Sequence, residues 1–561
     1  MVCALGLVLL VRANAMTSDA AQGRHYAQQL LSLRREQRQE REKEHPQQQE
    51  RGLDEGAAAD QERKGSRNGE KEDEEDRVLV LARALEDDTP RQPSARPVEQ
   101  PSASVSPPSP SPSSSSSLSS PPTRVSTSSP PVIQPQSQQQ YQLPPANDWR
   151  VRRIDFDASV SRERGVIVAL HNGIVALGAS LLSELRCLGN NELIQVYHCL
   201  PNELSPESRA LLLRSDRRIE LVDVCTAMVQ RRQLTMALAL KFRNWWVKPL
   251  ALYHTDLQHV LLLDADAILL RDPAVLRSLP GYQRTGTTFF HDRVVNARIY
   301  LNARIPRGGG VNGGAQYLRR WVQTFDYARF GLSGPAPSRQ LQQSLVYNQQ
   351  TCHEMDSSLL AVDKARAGKT TMDVLWYLIT QKRFEFTFSW GDKEAFWLAF
   401  EFAHRPYFFS PWGVSVVESS PNRDMERHAD TLCGNMAHFL PVDNGSAPEL
   451  LYVNGEALVE PFPLGVEQLK TARDNQQFNL NPRHVTPRHA RSAVAAAAAK
   501  RPASATTTSF RGPRRFPSEC LVGLGATPLP PQFHRLLLRR RMYYLGVTTG
   551  VTTALDSCAL L

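Results

Sequence analysis

HVLLLDADAILLRDP, residues 259–273, is the stretch on which the reading of this chain turns. His259 to Asp264 has the apolar run of a strand buried on both faces. Asp264 is expected as its last residue, with Asp266 on the loop beyond. Side chains at i and i+2 of an extended backbone project the same way. Two carboxylates placed so repel each other unless a cation lies between them or one holds a proton. Hard divalent cations take oxygen ligands and often bridge to phosphate oxygens, so Asp264 and Asp266 are candidates to seat a metal–diphosphate. The plain alternative is a capping acid plus a solvated loop acid. Asp-x-Asp alone is common by chance, and its position directly after VLLL favours the functional reading.

Working outward, RGVIVALHN (164–172) reads as a strand, and IVALGASLLSELRCLG as a helix stopped at Gly189. ELIQVYHC is a second strand. SPESRALLLR is a helix with Ser205 as N-cap and Pro206 at its first position. RIELVDV is a third strand, WWVKPLALYHTDL a helix broken or begun at Pro249, and HVLLLDAD the fourth strand. This alternation predicts an α/β fold, a mixed and mainly parallel sheet with helices on both faces. In such sheets ligands sit at the carboxyl ends of the strands, where Asp264 and Asp266 fall.

The rest of the 561 residues does not look like further domains. Val2 to Val11 is an apolar run of ten, shorter than the ~20 residues that span a bilayer. Residues 1–16 therefore read as a signal peptide or a truncated membrane anchor, with Ala13-Asn14-Ala15 as a cleavage-like site. Residues 17–147 are charged and then Ser/Pro-rich, a composition that cannot bury a core and reads as a disordered stem. The folded domain is expected over 148–465. Residues 466–561 read as a basic, low-complexity, mostly disordered tail that supplies most of the net charge of +9. It has no aromatic interleaving and no nucleic-acid fold, so nucleic acid is not an expected partner. The segment RIPRGGGVNGGAQ lacks the GKS or GKT of a phosphate loop and reads as a mobile loop or insertion. Eight cysteines form no CxxC pair, which argues against zinc and leaves disulfide connectivity open.

Five blocks, in order, carry a resemblance: RGVIVALHNG, KPLALY with LLLDADAILLRDP, HEMDSSLLAVDK (353–364), GDKEAFWLAFEFA (391–403) and TLCGNMAHFLP (431–441). Over roughly residues 160–456 the chain resembles the fungal and oomycete alpha-1,3-mannosyltransferases, nucleotide-sugar glycosyltransferases of the GT-A fold. The resemblance implies a metal-dependent, retaining transfer of a hexose, mannose from GDP-mannose, onto a mannose hydroxyl of a glycoprotein glycan. It further implies Mn2+ (or Mg2+) bridging Asp266 to the donor diphosphate, with Asp264 touching the ribose or reaching the metal through water, and His438 returning from the domain's end as a third ligand. A lumenal Golgi enzyme held to the membrane through its N-terminus is the implied setting.

Further candidates come from the residues themselves. An oxocarbenium-like transition state favours a carboxylate near the anomeric carbon. Asp392 and Glu394 at a helix mouth, and Glu354 and Asp356 before a strand, are the candidates. Their plain readings are an N-cap for Asp392 and a first-turn acid for Glu394. Lys248 is a candidate phosphate ligand or a structural charge. His171 is a candidate contact to the nucleotide base or a turn cap. The competing readings are a transferase using a UDP-sugar with another acceptor, and a non-catalytic glycan-binding relative. A haloacid-dehalogenase-type phosphatase fits poorly, because three strands precede Asp264.

Overall fold

The computed structural model of the protein describes residues 149–307, 310–419, 430–460, 481–500, 519–550 and Cys558. The expected leader and stem lie outside these residues. Strands β1 (Arg150–Arg152), β2 (Arg164–Ala169), β3 (Leu193–His198), β4 (Ile219–Asp223) and β5 (His259–Leu263) open the chain. Then come β6 (Ala267–Leu269), β7 (Thr287–His291), a β8–β9 ribbon (Arg304–Arg307 with Gly310–Gln316) and β10 (Met355–Asp363). Strands β11 (Ser415–Val416), β12 (Leu432–Gly434), β13 (Met436–Phe439) and β14 (Leu450–Asn454) follow.

The main sheet has the order β1-β4-β3-β2-β5-β10-β7. Strands β4, β3, β2 and β5 pair in parallel, whereas β10 runs antiparallel to both β5 and β7. Five of the seven strands, β2 to β5 and β7, therefore point one way, as expected of a mixed, mainly parallel sheet. Strand order reverses between β2 and β5, and the crevice beyond their carboxyl ends is where such a sheet binds ligands.

Alternation along the strands divides the core. Val260 and Leu262 of β5 face one apolar cluster, with Leu250, Phe396, Trp397 and Phe400. Leu261 and Leu263 face another, with Leu177, Leu181, Leu182 and Leu185. Helices cover both faces: α1 (Val175–Cys187) on one, α3 (Val247–His254) and α5 (Lys393–Phe402) on the other, with α2 (Pro206–Ser215) and α4 (Lys364–Tyr377) completing the layers. Ser205 caps α2 as expected, its hydroxyl accepting from Ser208 N at 3.2 Å. Gly189, just past α1, has φ 89°, the left-handed conformation glycine permits. The Gly-rich segment expected as a loop or insertion instead forms the β8–β9 ribbon, with Arg304 opposite Gln316.

Beyond β5 the chain leaves the first sheet. The apolar AIL that follows the two acids is β6, the edge of a second sheet ordered β11-β13-β14-β6. Asp264 stands one residue past β5 rather than within it, and its N–H donates to Ser358 O at 2.8 Å. Ala267 N donates to Asp264 O at 3.2 Å, closing a tight turn. The two acids thus sit on a turn joining two sheets.

Over its described residues, 481–500 and 519–550, the reading of 466–561 as a mostly disordered tail is corrected. A third apolar cluster takes in Val494 and Leu521, and β12 pairs with β15 (Glu519–Leu521). Helix α6 (Pro531–Thr548) lies against α1, with Phe533, Leu536 and Leu537 buried in the Leu261/Leu263 cluster. Disulfides join Cys187 to Cys558 and Cys433 to Cys520, and a third joins Cys199 to Cys225. The basic residues of α6 hid this role, because Arg539, Arg540 and Arg541 turn onto the domain and bond Glu184, Ala265 O and Leu458 O. Leu537→Ala should cost about 2–5 kcal/mol of unfolding free energy, the range for a buried leucine. Denaturant titration of the full chain checks this, and a loss below ~1 kcal/mol would mean that α6 is not core.

Candidate active site

At the carboxyl ends of β2 and β5 opens a cavity of about 520 Å3. That volume is within the range of small-molecule sites. His171, Glu203, Trp245 and Lys248 line it on one side, Asp264 and Asp266 at the turn, and Arg293 and Lys393 on another side. Asn435, Asn454 and Glu456 complete the wall from the second sheet.

Lys248, on the first turn of α3, is 5% exposed. Its ammonium donates to Asp264 Oδ1 at 2.8 Å and Ser357 Oγ at 3.0 Å, and stands 3.1 Å from Asp392 Oδ2. Burial disfavours the charge, but Asp264 and Asp392 outweigh it and raise the Lys248 pKa. Lys248 is therefore a clamp between two acids, not an open phosphate ligand. Asp392, at the N-cap position of α5, makes no capping hydrogen bond. Burial pushes its carboxyl up to about 6, against the pull of Lys248. It is 2% exposed and is not among the side chains that line the cavity, whereas the sequence reading expected it at the sugar.

Asp266 is half-buried, and its Oδ2 accepts from Glu456 N at 3.1 Å. Burial, then the facing carboxylates of Asp264 and Glu456, push it up to about 7. An oxygen donor set strained by like charge fits a hard divalent cation. Among the described residues, no group of three His, Cys, Asp or Glu side chains encloses a metal. A cation here would take its remaining ligands from diphosphate oxygens and water.

The expected third ligand is elsewhere. His438, on β13, places Nε2 3.0 Å from Asp356 Oδ2 and stacks on Tyr452 at 4.8 Å. Burial opposes ionisation of Asp356, but His438 holds its carboxyl below the usual range. Both are 2% exposed, with Ser358 and Tyr452 also bonding Asp356. His438 and Asp356 thus form a buried cross-sheet pair. Glu354 accepts from Val346 N at 3.0 Å and stands 3.1 Å from His291 Nδ1. Glu394 accepts from Glu354 N at 2.9 Å and from Trp397 Nε1. Both hold backbone together, and neither reaches the cavity. His171 lines the cavity and also caps a turn, its Nδ1 accepting from Gly173 N at 3.1 Å.

Sequence reasoning missed the cations that line the same cavity as the two acids. Lys393 Nζ lies 2.6 Å from Asp292 Oδ2, beside Arg293. Burial favours neutral Asp292, but Lys393 and Arg293 keep it ionised. Lys393 follows Asp392 directly in GDKEAFW, so its place at the helix mouth was a usable signal.

Two outcomes follow from these buried charges. Lys248→Met leaves Asp264 and Asp392 facing each other and should cost about 3–5 kcal/mol, with partial recovery on adding Asp392→Leu; unfolding titrations compare the two. Glu394 is pushed up to about 8 by burial, from an ordinary 4.5. Folding then takes up a proton between those values, so this group's stability is fully present below pH 4.5 and falls as pH rises toward 8. Wild type should therefore lose stability relative to Glu394→Gln, which does not titrate, as pH rises from about 5 to about 8. A pH-independent difference would show that Glu394 is already ionised in the fold.

Residues 163–439 match the family model described as "Mannosyltransferase putative". A Candida albicans protein described as "Putative alpha-1,3-mannosyltransferase MNN1" is 28% identical over 229 residues, 38% of this chain and 26% of that protein. The Saccharomyces cerevisiae alpha-1,3-mannosyltransferase MNT3 is 26% identical over 309 residues, 53% of this chain and 47% of that protein. The chain spans less than half the length of these relatives. Among solved structures, a WbbM bifunctional glycosyltransferase aligns at 14% identity over 46% of this chain and 40% of that one, with a TM-score of 0.27. The segment that builds the main sheet and the two-acid turn thus belongs to the mannosyltransferase family, with fungal alpha-1,3-mannosyltransferases as its relatives.

Proposed function

We propose that this chain is a metal-dependent glycosyltransferase that moves mannose from GDP-mannose onto a mannose hydroxyl of a glycoprotein glycan, with retention of configuration. The observation that carries this reading is the Asp264–Asp266 turn at the switch-point cavity, on a chain of the mannosyltransferase family.

In this reading Asp266, with Asp264 beside it, holds Mn2+ (or Mg2+) against the donor diphosphate. A cation held there by Asp266 and Asp264 would supply positive charge to offset that developing on the leaving nucleoside diphosphate. Lys393 and Arg293 present positive charge to the same cavity and suit the phosphate oxygens. His171, Glu203 and Trp245 form the side where a base and ribose fit, with Trp245 52% exposed as a stacking face. Asn435, Asn454 and Glu456 offer hydrogen-bonding groups for the transferred sugar. Lys248 and Asp392 keep Asp264 in place from behind. Three disulfides support a lumenal compartment of the secretory pathway, consistent with a Golgi setting.

The test is release of GDP from GDP-mannose with a mannoside acceptor, run beside UDP-sugars, with Mn2+ and with chelator. Asp266→Ala should abolish turnover while leaving the melting temperature nearly unchanged, because a half-buried turn acid strained by like charge contributes little to the core. Full activity in chelator, or in Asp266→Ala, would refute the metal bridge.

A further inference from the structure

Helix α6 does more than cover α1. Arg540, at its centre, is fully buried, and its Nη2 donates to Ala265 O at 2.8 Å. Ala265 is the residue between the two acids, so this carbonyl lies at the middle of the turn. Within the side chain, Nε and Nη1 have no hydrogen-bond partner. The guanidinium is thus buried with one directional contact, to the turn.

The rest of the helix is fixed independently. Ser180 Oγ of α1 donates to Arg540 O at 2.9 Å, and Arg539 Nε donates to Glu184 Oε2 at 2.7 Å. Gln532 Nε2 donates to Leu270 O at 2.9 Å, just past β6, and Arg541 Nε donates to Leu458 O at 2.5 Å, in the short helix that begins at Glu456. Phe533 and Leu537 anchor the apolar side. The helix therefore grips both ends of the seam: the chain leaving β6 and the segment that bonds Asp266. Arg540 reaches the turn itself, and a planar, always-charged guanidinium suits a fixed bond to one carbonyl.

We propose that Arg540 is a positioning residue, supplied by the C-terminal helix, that holds the Asp264–Ala265–Asp266 turn in the one conformation that presents both acids to the cavity. What the turn serves rests on the donor-site reading above; the contact itself does not. The carbonyl of Ala265, 6% exposed, would otherwise lack this donor. Its peptide could then rotate and carry Asp266 away from Asp264.

The full chain tests this with Arg540→Met, Arg540→Lys and, as a control on the same helix, Arg539→Met. Two readouts are taken. Hydrogen exchange at Ala267, whose N–H closes the turn, is measured in the free protein. Affinity for GDP with Mn2+ is measured by calorimetry. Exchange should quicken about 10-fold in Arg540→Met and by a smaller factor in Arg540→Lys, which keeps the charge but not the planar fork. The dissociation constant for Mn2+ with GDP should rise in the same order, again about 10-fold at most, as expected when a preorganised site loses its support. Arg539→Met, which removes the pair with Glu184 and the bond to Cys558 O but no contact to the turn, should lower the melting temperature and change neither readout. Unchanged exchange in Arg540→Met overturns the proposal. So does an equal loosening in Arg539→Met, which would reduce the effect to helix docking. If Arg540→Met does not fold, wild-type exchange and affinity in Arg540→Lys overturn it. If wild type fails to bind GDP with Mn2+ while the turn still loosens in Arg540→Met, the positioning role stands and the donor-site reading falls.

Discussion

The buried ammonium of Lys248 is the interaction on which the site depends. It joins the first turn of α3, the end of β5, Ser357 of β10 and the mouth of α5. Without its charge, Asp264 and Asp392 would meet in a largely dry place, and buried like charges of that kind unfold sites or take up protons. With it, Asp264 is neutralised by the protein while Asp266 is not. Asp266 is left against Asp264 and Glu456, strained by like charge. This asymmetry suits the roles proposed for the pair: one acid held as a fixed part of the wall, the other kept ready for a cation.

The turn that carries them is constrained from both sides. Strand β5 is paired with β2 and β10, and β6, three residues later, is paired with β14. The turn cannot shift as a whole without unpairing one sheet or the other, which leaves the peptide between the acids as the part that the strands do not hold. A turn between two paired strands is a rigid platform, and rigid elements hold catalytic geometry better than free loops. The opposite wall is built on the same logic. Lys393 sits on the first turn of α5, whose Phe396, Trp397, Phe400 and Phe402 are buried. Glu394 ties that helix to the start of β10.

The C-terminal segment completes this frame. Two disulfides bind it to the body of the domain, at Cys187 and at Cys433. Helix α6 packs its apolar side on α1 and sends arginines to backbone carbonyls around the seam. A segment rich in arginine and alanine can be structural when the body it meets offers carbonyls and carboxylates that its own neighbours do not satisfy.

The sequence by itself determined the central strands, the helix caps and the place of the two acids. Runs such as GVIVA and HVLLL, and the Ser205-Pro206 start, specify local structure through side-chain periodicity and backbone capping, which need no distant partner. Only the tertiary structure decided what depends on pairing across long separations. The reversed direction of β10 is one case, since periodicity is blind to strand polarity. The pairing of His438 with Asp356 is another: both are chemically apt metal ligands, and their burial against Ser358 and Tyr452 gave them to each other. Asp392 read as a carboxylate for the sugar, with an N-cap as its plain alternative, and only the fold showed it paired with Lys248 and making no capping bond. Arg540 was illegible for the same reason. An arginine's fate depends on whether an unsatisfied carbonyl lies within its reach, and here that carbonyl belongs to Ala265, far back in the chain.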